Sequence, residues 1–198
     1  MARVVVLGGP GFFGRAVREH LAALGVPSLS ASRRPGADLV VDAEAPSGLG
    51  PGDVVVDCAG PFQRRTTALL KAACEGGFDV VDLNDALAYA EKTLALKDRI
   101  DAAGIRVLPS ASSVSAVAAC VVRASGVDAP ARVTAFIAPA TRRTANPGSA
   151  RSLLRNVGRP VRVFRDGGLR ERRGWSEERR FPMPAPVGAL RARLFESA

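Results

Sequence analysis

The chain has 198 residues, 47% of them hydrophobic, which is enough to build the core of one large domain or of one domain and part of a second. Its single histidine, His20, and three cysteines in no paired or metal-like spacing (Cys58, Cys74, Cys120) argue against a zinc site or a disulfide framework and for a reducing compartment. No run reaches membrane-spanning length, and the apolar stretch after Met1-Ala2-Arg3 is too short for a secretory signal, so a cytoplasmic protein with net charge +9 is expected.

The first element is a β-branched strand at Val4–Leu7, which runs into Gly8-Gly9-Pro10-Gly11-Phe12-Phe13-Gly14. A helix follows over Phe13–Leu24, with apolar positions at Phe13, Val17, Leu21 and Leu24 and a stop at Gly25. Strand, glycines and helix in this order form the layout of a dinucleotide-binding turn, in a G-x-x-G-x-x-G variant. Gly8 lets the chain turn sharply, Gly11 removes a Cβ from the path of a pyrophosphate, and Gly14 lets the helix pack closely on the sheet. The helix N-terminus offers free N–H groups and partial positive charge to phosphates. A purely structural turn is the plain alternative.

A second strand is expected at Val26–Ala31, followed by Ser32-Arg33-Arg34. An NAD-preferring fold places an acid here for the ribose 2′-hydroxyl. A hydroxyl and two guanidiniums instead suit a 2′-phosphate, so NADP(H) is expected over NAD(H). Two solvated loop arginines are the alternative. Only a few residues separate this strand from Leu39–Asp42, too few for a helical crossover, so the adenine-side half is abbreviated and Leu39–Asp42 is a distorted or loosely paired strand. Asp42 falls where an adenine amino group could be bonded.

Strands and helices then alternate. Asp53–Asp57 is a buried strand, followed by Cys58-Ala59-Gly60-Pro61-Phe62 and a helix over Gln63–Glu75 closed by Gly76. Asp79–Leu83 is the next strand, Ala86–Ala103 a long helix closed by Gly104, and Ile105–Leu108 the sixth strand. The pattern predicts an α/β, Rossmann-type doubly wound parallel sheet with helices on both faces and a ligand at the carboxyl ends of its strands.

Beyond residue 112 the pattern loosens. Ala131–Ala138 reads as a strand, Ser149–Asn156 as a helix closed by Gly158, and Val161–Phe164 as a strand turning at Asp166-Gly167-Gly168. The remainder, with Trp175, the arginine cluster of Arg170–Arg180 and Pro182–Pro186, reads as edge strands and loops. Residues 1–139 balance 14 Lys and Arg against 14 Asp and Glu, whereas residues 140–198 carry 14 arginines against 5 acids. No aromatic platform or helix-turn-helix accompanies this charge, so nucleic acid is not the expected partner. Unpaired strand edges here predict a homo-oligomer formed through the second half.

The turn Gly8-Gly-Pro-Gly-Phe-Phe-Gly14, the segment Asp53-Val-Val-Val-Asp-Cys-Ala-Gly-Pro-Phe62 and Val80-Val-Asp-Leu-Asn84 resemble the NADP-binding part of the saccharopine dehydrogenase-like family, which includes the trans-acting enoyl reductases. Ala-Gly-Pro-Phe is the most specific of these motifs; the likeness runs from Arg3 to about Val163 and is looser after Pro109. The resemblance implies that Cys58, Ala59, Gly60, Pro61 and Phe62 lie along the cofactor and that Asn84–Asp85 lies near the substrate cleft. It also implies a second, mixed α/β domain. That domain is expected to be incomplete, since no returning helix or closing strand precedes Ala198. A division into 1–112, NAD(P)-binding, and 113–198, a partial substrate or dimerisation domain, follows.

Catalytic residues are not legible. Tyr89 and Lys92 are one residue short of the Tyr-x-x-x-Lys spacing of short-chain dehydrogenases, His20 sits on the first helix, and the serines of Ser110–Ser113 read equally as loop and cap residues. The expected function is an NADP(H)-dependent oxidoreductase acting on a small or lipid-like substrate. A catalytically silent NADP(H)-binding regulatory or interaction protein is the alternative.

Overall fold

Runs of four or five residues rich in valine, closed off by glycine-ended helices, can satisfy their backbone only by pairing side by side. The computed structural model, which describes residues 3–138 and 147–197, shows that they do. Strands β1 (Val4–Leu7), β2 (Ser28–Ser32), β3 (Leu39–Val40), β4 (Val54–Asp57), β5 (Asp79–Asp82) and β6 (Val107–Leu108) form one sheet in the order β3-β2-β1-β4-β5-β6. All its pairings are parallel. This is a Rossmann-like α/β core. The chain order reverses between β1 and β4, and the crevice outside the carboxyl ends of those strands is where such sheets take ligands.

Helix α1 (Phe12–Ala23) packs on β1 and β2; α2 (Ala68–Gly76) packs on β5 and on α4 (Lys97–Ala103), and α3 (Leu87–Leu94) on the turn at Phe62–Arg64. Val5, Val55 and Val80 stand in register on one face of the sheet and join Leu69, Leu70, Ala73, Phe78 and Tyr89 in the core. Leu69 and Leu70 are both fully buried, each contributing about 1.5–3 kcal/mol. Val6 and Ser30, which alternation places on the opposite face, are buried on the α1 side.

Several elements depart from the sequence reading for local reasons. The long helix expected over Ala86–Ala103 is two helices: the Thr93 hydroxyl donates back to the Tyr89 carbonyl at 3.1 Å, and Leu96 leaves helical geometry at φ −94°, ψ 3°. The helix expected from Gln63 starts only at Ala68, because Phe62–Arg65 is drawn into the loop after β4. It is closed by Gly77 in the left-handed region (φ 69°) rather than by Gly76. The third strand ends at Val40, short of Asp42, which instead turns back to bridge Ala45. In α1, Phe13 and Leu24 are exposed, and only Val17 and Leu21 of the expected stripe are half-buried.

Contacts divide the chain into a first unit of residues 1–117 and a second of 118–197. The second unit holds α5 (Ala118–Ala124), α6 (Pro147–Leu154), an antiparallel hairpin β7–β8 (Pro160–Arg165 and Gly168–Arg173), and a second antiparallel pair, β9–β10 (Arg179–Pro182 and Ala189–Ala192). The turn at Asp166-Gly167 is as expected. The strand expected at Ala131–Ala138 joins no ladder; its Phe136 ring stacks on Phe181 at 4.5 Å instead. Arg142 and Arg143, the first of the arginine-rich segment, lie outside the described residues.

Candidate functional site

The glycine turn is built by close backbone contact. Gly8 sits at φ 78° and donates its N–H to the Ala31 carbonyl at 2.8 Å, ending the β1–β2 ladder. A Cβ on Gly8 would lie 3.0 Å from the Cys58 carbonyl and the Ala59 nitrogen, so the turn and the loop after β4 abut through a missing side chain. A Cβ on Gly9 would run into Ser30, and one on Gly14 would overlap the Gly8 carbonyl. The close approach that needs Gly14 is therefore to the turn itself, where packing on the sheet was expected. Gly11 donates its N–H to the Gly8 carbonyl at 2.8 Å and, as N-cap, precedes α1 without a side-chain cap.

These arrangements leave the next N–H groups, those of Phe12, Phe13 and Gly14, with no helical acceptor. The first turn of α1 carries no acidic residue. Arg15, which the sequence reading passed over, lies back on the turn and donates from Nη1 to the Pro10 carbonyl at 2.8 Å. A helix end with free N–H groups, no capping acid and a nearby guanidinium suits an anion.

At the end of β2, the Arg34 N–H donates to the Ser32 hydroxyl at 3.1 Å. Arg33 and Arg34 are exposed, and among the described residues neither has an ion pair. The loop beyond them is tied down by Asp38, which accepts the Ser30 N–H at 2.7 Å and faces Arg18 at 3.7 Å. Asp42 is half-buried and accepts the Glu44 N–H at 2.9 Å.

The β4 loop is organised around a buried ion pair. Asp57 is fully buried at the end of β4, and Arg65, 7% exposed, reaches back to it with an Nη2–Oδ2 distance of 2.9 Å. Arg65 Nη1 also donates to the Ala59 carbonyl at 2.8 Å, and the Ala59 N–H donates to Asp57 Oδ1 at 2.9 Å. Glu44 lies 2.8 Å from Arg65 Nε and also accepts from Thr66. Burial raises the Asp57 carboxyl against the opposing pull of Arg65. Cys58 and Ala59 are half-buried and Gly60 and Pro61 exposed, but Phe62 goes into the core, its ring 5.3 Å from Tyr89. The Phe62 side chain is thus a wall of the core and not a surface for a cofactor.

A second carboxylate anchors the ends of β5 and β6. Asp82, in register with Asp57 and fully buried, accepts the Asn84 N–H at 3.0 Å and the Ser110 N–H at 2.7 Å through Oδ1. Burial pushes its carboxyl up. The Asn84 amide donates to the Ser110 hydroxyl at 3.2 Å and holds Ser110 in the left-handed region, φ 54°. Strain of this kind gathers where loops must hold one shape. Asn84 is therefore a buried brace; Asp85 is half-buried and accepts from Gln63 at 3.1 Å.

The same geometry bears on chemistry. Burial and the neighbouring Asp57 push the Cys58 thiol up to about 12, so it is no thiolate at neutral pH. Tyr89 is 1% exposed with its phenol raised by burial, while Lys92 is exposed, so the two form no acid–base pair. His20 is exposed in the last turn of α1. Among the described residues no three His, Cys, Asp or Glu side chains are gathered as a metal ion requires, and no helix is long and apolar enough to cross a membrane. The structure thus brings the glycine turn, the end of β2 and the β4 loop to one edge of the sheet. In comparisons with known proteins, no family model matches the chain and no curated protein does.

Proposed function

We propose that the first unit binds NADP(H) across the β1/β4 switch point. The observation that carries this reading is the contact of Gly8 with Cys58 and Ala59. It joins an uncapped helix N-terminus to the β4 loop, with Arg33 and Arg34 exposed at the neighbouring strand end. The donor set fits the cofactor. Phe12, Phe13 and Gly14 offer N–H groups to the pyrophosphate, and Ser32, Arg33 and Arg34 offer a hydroxyl and two guanidiniums to a 2′-phosphate. Asp42 lies on the adenine side, and Cys58–Pro61 on the nicotinamide side.

By the resemblance to saccharopine dehydrogenase-like proteins, the activity proposed is oxidoreduction of a small or lipid-like carbonyl, imine or enoyl substrate in the cytoplasm. The bound cofactor supplies the hydride chemistry, and the protein orients it. A cofactor-binding protein without turnover is the second reading, favoured by the buried Tyr89 and the protonated Cys58. The second half is proposed to pair with a second copy: Phe164 and Leu169, opposite one another on β7–β8, are 72% and 43% exposed. Fluorescence titration with NADPH and NADH tests the cofactor, with NADPH expected to bind more tightly; equal affinities at moderate salt overturn the proposal. Turnover of NADPH on a carbonyl and enoyl panel separates the enzyme from the silent binder.

A further inference from the structure

We infer that Arg65 is a positioning residue for the nicotinamide side of the site, fixing the backbone of Cys58–Gly60 without touching a ligand itself. This rests on the NADP(H) reading above. The Ala59 peptide is held at both ends: its N–H by Asp57 Oδ1 at 2.9 Å, its carbonyl by Arg65 Nη1 at 2.8 Å. The Asp57 and Arg65 side chains are themselves paired, 2.9 Å apart, and both are buried. The clamped segment is the one that a Cβ on Gly8 would strike, at 3.0 Å from the Ala59 nitrogen and the Cys58 carbonyl. One guanidinium thus sets the β4 loop against the glycine turn.

A merely structural role would not need this arrangement. Burying a guanidinium beside carboxylates carries a desolvation cost that an apolar residue of the same volume avoids. What the planar fork adds is direction: Nη1 donates to the Ala59 carbonyl while Nη2 donates to Asp57 Oδ2, and Glu44 lies 2.8 Å from Nε as a charge partner without a directed bond. Glu44 also accepts the Thr66 N–H at 3.2 Å, which ties the clamp to the loop after β3. Phe62 closes it from the side, its ring centroid 5.5 Å from the guanidinium carbon. A lysine could keep the charge but not the paired, directed contacts to Ala59 and Asp57.

The test compares two ligands that share the adenosine end. A dinucleotide on a sheet of this order crosses the switch point, with one nucleoside on the β2 side and the other over β4 and β5. Adenosine 2′,5′-bisphosphate lacks the second nucleoside. Arg65→Met is expected to raise the NADPH Kd at least about tenfold, the effect of one lost directed contact, while the Kd for adenosine 2′,5′-bisphosphate stays within about twofold. Arg65→Lys falls between wild type and Arg65→Met for NADPH. If Arg65→Met does not fold by circular dichroism, Arg65→Lys decides by the same split. Equal losses for both ligands, or no loss of NADPH affinity in a folded variant, overturn the inference alone. Wild-type protein that binds neither ligand overturns the cofactor reading, and the inference with it.

Discussion

In the first unit, Asp57 and Asp82 are fully buried and pin backbone N–H groups of the loops that follow β4, β5 and β6. In the second unit two acids stay at the surface among arginines: Glu177 is shared between Arg165 and Arg172, and Glu178 between Arg191 and Arg193. Apolar side chains divide the same way. Among the described residues Val161 is the one buried hydrophobic side chain of the second unit, while Phe164, Leu169, Leu154 and Val121 are exposed. The first unit is thus shaped by burial that fixes its loops, and the second by a basic surface whose ion pairs contribute little each.

The comparison is broken most directly by deletion in each half. Leu70→Ala is expected to destabilise the first unit by about 2–5 kcal/mol, read as a lower urea midpoint of Trp-independent far-UV dichroism. Leu154→Ala, at a side chain 64% exposed, should change it by less than about 0.5 kcal/mol. Equal shifts would mean that the second unit has a core of its own.

Next in size is the end of β2. Replacing Arg33 and Arg34 together by alanine should remove about 2 kcal/mol of the preference for NADPH over NADH, leave NADH affinity unchanged, and leave the melting temperature within a degree or so. An unchanged preference would return both arginines to the status of solvated charges, like those of the second unit.

Titration sharpens the contrast between paired and buried acids. The side-chain hydrogen bond from Arg3 holds the Asp53 carboxyl below its usual range. Its stabilisation is therefore present above the unfolded value of about 3.9 and is lost as the pH falls toward the lower folded value. Asp53→Asn should be less stable than wild type at pH 7, with the gap closing in acid. Asp82 is raised by burial, so its sign is opposite: ionisation above its folded value opposes folding, and protonation on the way down toward 3.9 relieves it. Asp82→Asn keeps an acceptor for the Asn84 and Ser110 N–H groups and should be neutral or stabilising at pH 7. Parallel melting curves for the two variants across pH 3–7 would refute this assignment of signs.

The smallest expected effect is association. Dynamic light scattering at rising concentration should show a dimer that Leu169→Glu returns to monomer; a monomer throughout removes the pairing proposed for β7–β8.

The parts of this fold that were legible in the sequence are those enforced over a few residues. Gly14 is demanded by its contact with the Gly8 carbonyl inside a seven-residue turn and Gly8 by its own φ of 78°, and Val54–Asp57 and Asp79–Asp82 announce themselves by β-branching between helix stops. The parallel sheet, though not the order of its strands, followed from strand and helix alternation. Arg65 was not legible, because next to the exposed Arg64 it reads as half of a solvated pair; only Asp57 and Glu44, brought in from other segments, show it to be interior. The left-handed Ser110 was hidden for the same reason, since the Asp82 carboxylate that holds it lies 28 positions earlier. The extended segment at 132–138 has strand composition but pairs with no neighbour among the described residues, and alternation cannot report a missing partner.

The Asp82–Asn84–Ser110 brace has a further consequence for amide hydrogen exchange. A loop held by its own turn can open alone and exchange quickly, whereas the N–H groups of Asn84 and Ser110 are bonded to an oxygen that is itself part of the sheet interior. To release them, the end of β5 must come apart from β6 and admit water to a buried carboxylate. The two loops and the sheet edge therefore behave as one cooperative unit, and the amides of Asn84 and Ser110 are expected to exchange with the slow, shared free energy of Val80 and Val81 rather than with that of the surface.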